Sequence, residues 1–173
     1  MTTPADEFES EGGALPPPAG TPAADTAAGG GPEAADGPEA GGPPVRVRLT
    51  DAGSRLVARL AESHGPLMFH QSGGCCDGSA PMCYPRGEFR VGASDVLLET
   101  LPDGTPFWMS ADQYAYWKHT VLTVDVVEGR GSGFSLEAPE GVRFLLRSRV
   151  MTDEENARAE AAPPPPTGAD ASP

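Results

Sequence analysis

Val45-Arg46-Val47-Arg48-Leu49-Thr50-Asp51-Ala52-Gly53-Ser54-Arg55-Leu56-Val57-Ala58-Arg59-Leu60 changes its hydrophobic period halfway along, and that change decides the fold class. As far as Leu49, apolar residues alternate with arginine, the period of a half-buried strand. From Thr50 the period becomes helical: Thr50 offers an N-cap, Asp51 an acid for the helix dipole, and Ala52, Leu56, Val57 and Leu60 form one stripe. His64-Gly65-Pro66 supplies the stop. A strand followed at once by an amphipathic helix points to an α+β domain rather than an all-helical or all-β one.

Outward from this stretch the same reading continues. Leu67–Gln71 reads as a short strand, Glu88–Val91 as another and Asp95–Thr100 as a clearer one. Leu101-Pro102-Asp103-Gly104 is a turn returning the chain into Thr105–Met109. Ser110-Ala111-Asp112-Gln113 has the form of a capping box for a second helix through about Lys118, with Tyr114 and Trp117 on its packing face. Val121–Val127 is a β-branched strand. Gly129–Gly133 reads as a hairpin turn into Phe134–Glu137, and Pro139-Glu140-Gly141 turns the chain into Val142–Val150. In that last strand Val142, Phe144 and Leu146 face inward and Arg143, Arg147 and Arg149 outward, toward solvent or an acidic partner. The expectation is a small α+β domain with one twisted, mostly antiparallel sheet and two helices, spanning residues 45–153, without internal repeat.

Composition sets this domain apart from its flanks. The chain has 173 residues and a formal net charge of −13, with 12 Lys and Arg against 25 Asp and Glu. Residues 1–44 carry acids, no base and little besides Ala, Gly and Pro, so they cannot offset the entropy of ordering and are expected to be a disordered acidic arm. Residues 154–173, with prolines from Pro163 to Pro166, are expected to be a disordered tail. Acidic flanks on a near-neutral domain argue against nucleic-acid binding, which needs basic footprints. No apolar run approaches a membrane span and no secretory signal opens the chain, so the expected place is the cytosol, with thiols reduced.

All 3 cysteines fall within His70-Gln71-Ser72-Gly73-Gly74-Cys75-Cys76-Asp77-Gly78-Ser79-Ala80-Pro81-Met82-Cys83. Thiolates bind soft metals or attack electrophiles. Cys75, Cys76 and Cys83, with His70 as a possible fourth, supply a metal-ligand set, and the glycines let the backbone bend round an ion. The spacing is unlike a zinc finger's, and zinc, copper(I) and iron, alone or as an iron–sulfur cluster, all fit it. A second reading makes Cys75 or Cys76 a nucleophile or redox centre, activated by His70, oriented by Asp77 and resolved by Cys83. A third takes the thiols as small inert side chains in a tight turn, against which the polarity of the loop argues. His64 and His119 sit at element ends and read as solvated, and Gly129–Gly133 lacks the Lys-Ser/Thr of a phosphate loop.

The run Phe69–Cys83, followed by Gly133-Phe134-Ser135-Leu136-Glu137, resembles a family of small bacterial proteins called domain of unknown function seven hundred and seventy-nine. The resemblance covers most of residues 45–153 and implies an accessory role beside an aldehyde dehydrogenase, without assigning a reaction. A more distant likeness joins Val47–Ala52, Ser72–Cys76, Val127–Gly129 and Gly133–Pro139 to the layout of A-type, HesB-like iron–sulfur carriers. It implies a HesB-like fold and matches the carriers' loop cysteine to Cys75 or Cys76. The carriers' C-terminal Cys-Gly-Cys pair is missing, Arg147-Ser148-Arg149 standing near its place. The function expected is thus a metal- or iron–sulfur-binding accessory protein, with a homodimer sharing the site as one way to complete it. The competing readings are an aldehyde-handling or oxidoreductase enzyme with a cysteine nucleophile, and a metal-free docking module.

Overall fold

Thr50 begins the first helix as its residue type dictates: its hydroxyl accepts the Gly53 N–H at 3.1 Å, opening α1 at Asp51–His64. Our computed structural model describes residues 42–74, 78–131 and 133–171. The expected arm therefore lies outside the described residues, apart from its last few. Before α1 runs β1, Val47–Leu49. Leu56, Val57 and Leu60 of α1 are buried, together with Gly53, where a Cβ would stand 2.9 Å from the Val124 carbonyl oxygen. That glycine lets the helix lie directly on the backbone of its neighbouring strand.

The α+β class holds, but the single sheet becomes two. β2 (Leu67–Gln71), β3 (Met82–Pro85), β4 (Val96–Thr100) and β5 (Pro106–Met109) form a sheet in the order β3-β2-β5-β4. β1, β6 (Thr120–Glu128) and β7 (Val142–Val150) form another, in that order. Each sheet is mixed, since β2 pairs parallel to β5 and β1 parallel to β6. Phe69 joins the two, its ring lying 5.8 Å from Phe107 within its own sheet and edge-on at 4.9 Å to Phe144 of β7. The stripe of α1 packs into the same core, beside Leu122, Val124 and Leu146.

The β4–β5 hairpin forms as expected: Leu101 N–H donates to Thr105 O at 2.9 Å and Gly104 N–H to Leu101 O at 2.8 Å. Helix α2, Ala111–Trp117, is capped by Ser110, but the Gln113 side chain turns to accept the Trp117 indole N–H at 3.4 Å, so only half of the expected box forms. Glu88–Val91 is not a strand. Glu88 N–H bonds back to Pro85 O at 3.2 Å and Gly87 takes φ +96°, a turn that lays Phe89 over the adjacent sheet face. Phe134–Glu137 is not a strand either. It lies along the free edge of β3, with Cys83 N–H donating to Ser135 Oγ at 2.8 Å and Leu136 N–H to Cys83 O at 3.1 Å.

Two of the three β7 arginines meet acidic partners within the chain. Arg147 meets Asp125 at 2.8 Å, and Arg149 grips Glu155 through two bonds of 2.7 Å. Glu155 belongs to a third helix, α3 (Asp153–Ala161), opened by a capping box between Thr152 and Glu155. The bidentate Arg149 contact, with the Thr152 N–H, holds the Glu155 carboxyl down to about 2. Beyond α3 the chain continues on the domain rather than away from it, as Leu97 N–H donates to Pro166 O at 2.8 Å and Val96 bridges Thr167. One ion pair, one cap and one sheet edge receive the stretch expected as a free tail.

Candidate functional site

β2 delivers both His70 and the cysteine loop, and its pairing with β3 sets which way each side chain points. Phe69 stands opposite Cys83 and His70 opposite Met82. Residues opposite one another in a ladder share a face and successive residues alternate, so Cys83 and His70 lie on opposite faces of one sheet. Cys83 faces the core with Phe69, at 0% exposure. Burial pushes its thiol far above the ordinary range, and the nearby carboxylates of Glu137 and Asp103 push the same way. In this fold the Cys83 thiol is held protonated, on the core side of the sheet. One ion cannot take ligands from both Cys83 and His70.

Behind Cys83 sits a buried polar chain. Its amide donates to Ser135 Oγ at 2.8 Å, and Ser135 in turn donates to Glu137, which is 1% exposed. Burial raises the Glu137 carboxyl against the hydrogen bonds that oppose the rise.

His70 is itself buried at 3%, yet both ring nitrogens are engaged. Nε2 lies 2.9 Å from Asp95 Oδ2, and Nδ1 lies 2.7 Å from Ser72 Oγ, the first turn of the loop. A carboxylate only accepts, so in the neutral imidazole Nε2 carries the hydrogen and Nδ1 presents its lone pair to the loop, where Ser72 O–H donates to it. Phe89 covers the ring at 4.5 Å between centroids and stacks in turn on Tyr84 at 4.8 Å. Asp95 is fixed by its own turn, its Oδ2 accepting the Gly92 N–H at 2.8 Å.

The loop's feet are pinned together. Gly74 and Gly78 both take positive φ, +92° and +91°. A Cβ on Gly74 would fall 2.3 Å from Ser79 Oγ, so only glycine lets the two limbs meet there. Gly78 N–H donates to Leu146 O at 2.8 Å and Leu146 N–H to Ser79 O at 2.7 Å, tying the outgoing limb to the edge of β7. On the incoming limb the Gln71 amide donates to Gly73 O, while its Oε1, among the described residues, is buried without a partner. Cys75, Cys76 and Asp77 lie outside the described residues, between these feet.

Among the described residues no three His, Cys, Asp or Glu side chains gather to hold a metal, and no helix is long and apolar enough to cross a membrane. His119 bonds Asn156 at 3.0 Å and His64 is exposed, so neither joins the site. A cavity of about 880 Å³ opens beside α1, lined by Val47, Leu49, Val57, Leu67, Pro102 and Asp103 among others, but no residue of 70–79 borders it and no His or Cys lines it.

The model of the family called domain of unknown function, DUF779, matches residues 56–150, which contain β2, the loop, Asp95 and the Ser135–Glu137 clamp. The chain belongs to the DUF779 family. No curated protein matches it. Within the DUF779 stretch, sequence reading singles out His70 and the loop but not Asp95, Ser72 and Phe89, which lie against His70, nor Glu137 behind Cys83. Asp95 stands 25 residues from His70 along the chain, a separation that no local spacing reveals. The Ser135-Leu136-Glu137 run was visible as a motif, without a job.

Proposed function

We propose that this DUF779 chain is a metal-binding accessory protein whose site is the loop between Ser72 and Ser79. Cys75 and Cys76 supply thiolates and His70 supplies Nδ1, while Cys83 is not a ligand. The carrying observation is the Asp95–His70 pair: a metal-bound histidine characteristically gives its second nitrogen to a carboxylate, which fixes the tautomer and raises ligand basicity. Two thiolates with one imidazole suit a soft or borderline cation, zinc or copper(I). A thiol nucleophile would use one cysteine and leave its neighbour idle. A metal uses both.

Three ligands leave a position open, for a second copy or a client protein. An iron–sulfur cluster, which takes four protein ligands, would need two copies of the chain. The HesB-like part of the reading rests on the motif likeness, and the family resemblance makes an aldehyde dehydrogenase the first client to try.

Anaerobic purification, zinc or copper(I) reconstitution and metal analysis test the proposal. The expected result is roughly one ion per chain, lost in Cys75→Ser, Cys76→Ser and His70→Ala. Asp95→Asn is expected to weaken affinity by roughly 10- to 100-fold. A wild type that holds no metal after reconstitution overturns it. The Asp95–His70–Ser72 chain also has the orienter–base form of nucleophilic sites, and a folded, metal-free wild type whose Cys75 or Cys76 alkylates rapidly at neutral pH would favour that reading.

A further inference from the structure

The residue that orients His70 is held from outside the family match. Asp95 belongs to the Gly92–Asp95 turn, in which Asp95 N–H donates to Gly92 O at 3.0 Å. The C-terminal segment runs along this turn and the adjoining edge of β4: Leu97 N–H donates to Pro166 O at 2.8 Å, Gly168 N–H to Asp95 O at 2.8 Å, and Ala169 N–H to Ala93 O at 3.0 Å. The segment locks itself with a turn, Asp170 Oδ2 accepting the Thr167 N–H at 2.8 Å and its hydroxyl at 2.7 Å. Those bonds hold the Asp170 carboxyl below its ordinary value. The prolines before it have little backbone freedom to lose, which lowers the cost of laying the chain down.

Gly168 is where the strap and the turn come closest. A Cβ there would stand 2.1 Å from Gly92 O and 3.0 Å from Val91 Cγ1. Any side chain at 168 must push the strap and the Asp95 turn apart. No residue of 163–171 belongs to the buried core, so the segment can be loosened without emptying it.

We propose that Pro163–Ala171 is a positioning strap for the site: by holding the main chain of Asp95 it fixes the carboxylate on His70 Nε2, with Gly168 as the residue that allows the fit. The role rests on the metal reading above only for its functional consequence, since the geometric claim concerns Asp95 and His70 alone. It also makes residues outside the DUF779 match part of what sets the loop's affinity.

The test uses the full chain with Gly168→Val, and Asp170→Ala as a milder variant that breaks only the strap's own turn. Hydrogen exchange reports whether the strap is released, through the amides of Leu97, Gly168 and Ala169. The ¹⁵N and ¹H signals of the His70 ring report the Nε2–H bond, and titration with zinc reports affinity. Release of the strap is expected to move the His70 Nε2–H signal out of its hydrogen-bonded position and to weaken zinc binding by roughly tenfold, the range of lost outer-shell partners. Thermal stability should fall less than it does for a core substitution. A variant whose strap amides exchange freely while the His70 signal stays in place overturns the proposal, whatever zinc does. A shifted His70 signal in a protein whose wild type binds no zinc supports the strap and sinks the metal reading.

Discussion

Cys83→Ala separates a count of cysteines from their placement. The side chain is 0% exposed and packs with Phe69 in the core. Its backbone bonds to Ser135 and Leu136 survive the substitution, so the change deletes one buried sulfur and nothing else. A deleted group of about methylene size costs about 1–2 kcal/mol in lost transfer energy and residual cavity. At roughly 4 °C per kcal/mol for a domain of this size, Tm should fall by about 4–8 °C. Zinc stoichiometry and affinity, measured by competition with a chromogenic chelator, should stay within about twofold of wild type, because no ligand has been touched. A thiol titration completes the assay: Cys83 should be silent in the native protein and react once urea unfolds it, as its raised pKa requires. A variant that keeps its Tm but loses the metal would refute the argument. So would a Cys83 that reacts in the native state as fast as a free thiol.

Two further outcomes follow from the same packing. Gly53→Ala should destabilise the protein by about 1–3 kcal/mol in urea unfolding, although helix propensity alone favours alanine by about 1 kcal/mol, because the new Cβ meets the Val124 carbonyl oxygen at 2.9 Å; a stabilised variant would mean that α1 does not lie on β6 as described. Glu137, whose carboxyl is raised by burial, binds its proton more readily folded than unfolded, so its contribution is complete below the unfolded carboxylate range and is lost as pH rises through the raised value; Glu137→Gln should flatten that decline in urea midpoints measured from about pH 4 upward, and an unchanged slope would place the pH dependence elsewhere.

What the sequence disclosed was whatever its neighbours along the chain determine. α1, the β4–β5 hairpin and the Ser110 cap rest on contacts a few residues apart, and their residues declare them. The division into two sheets rests on pairing Val47 with Leu122 and Phe69 with Phe107, which alternation alone cannot express. α3 has a legible signal in Thr152-Asp153-Glu154-Glu155, a capping box inside a polar, proline-rich stretch. Its anchoring by Arg149 is not legible, because alternation turns the β7 arginines outward without saying which acid they meet. At the candidate site, spacing singles out the loop and His70, but spacing cannot tell which face of a sheet Cys83 occupies, nor reach Asp95.

The register that buries Cys83 therefore deserves a cause. A slip of one residue between β2 and β3 would turn Cys83 to the His70 side and restore the full ligand set read from the sequence. Three features oppose the slip. Arg86 N–H is tied to Pro66 O at 2.7 Å, at the open end of the β2–β3 pair. Ser135 and Leu136 grip both backbone groups of Cys83 itself. Phe69, opposite Cys83, is wedged edge-on against Phe144. The Gly133–Glu137 run thus does different work from the cysteine run it accompanies: its Ser135 and Leu136 hold β3 in the register that withdraws one thiol into the core. The loop is left with two cysteines and a carboxylate-backed histidine, and any fourth partner must come from beyond the chain's own cysteines.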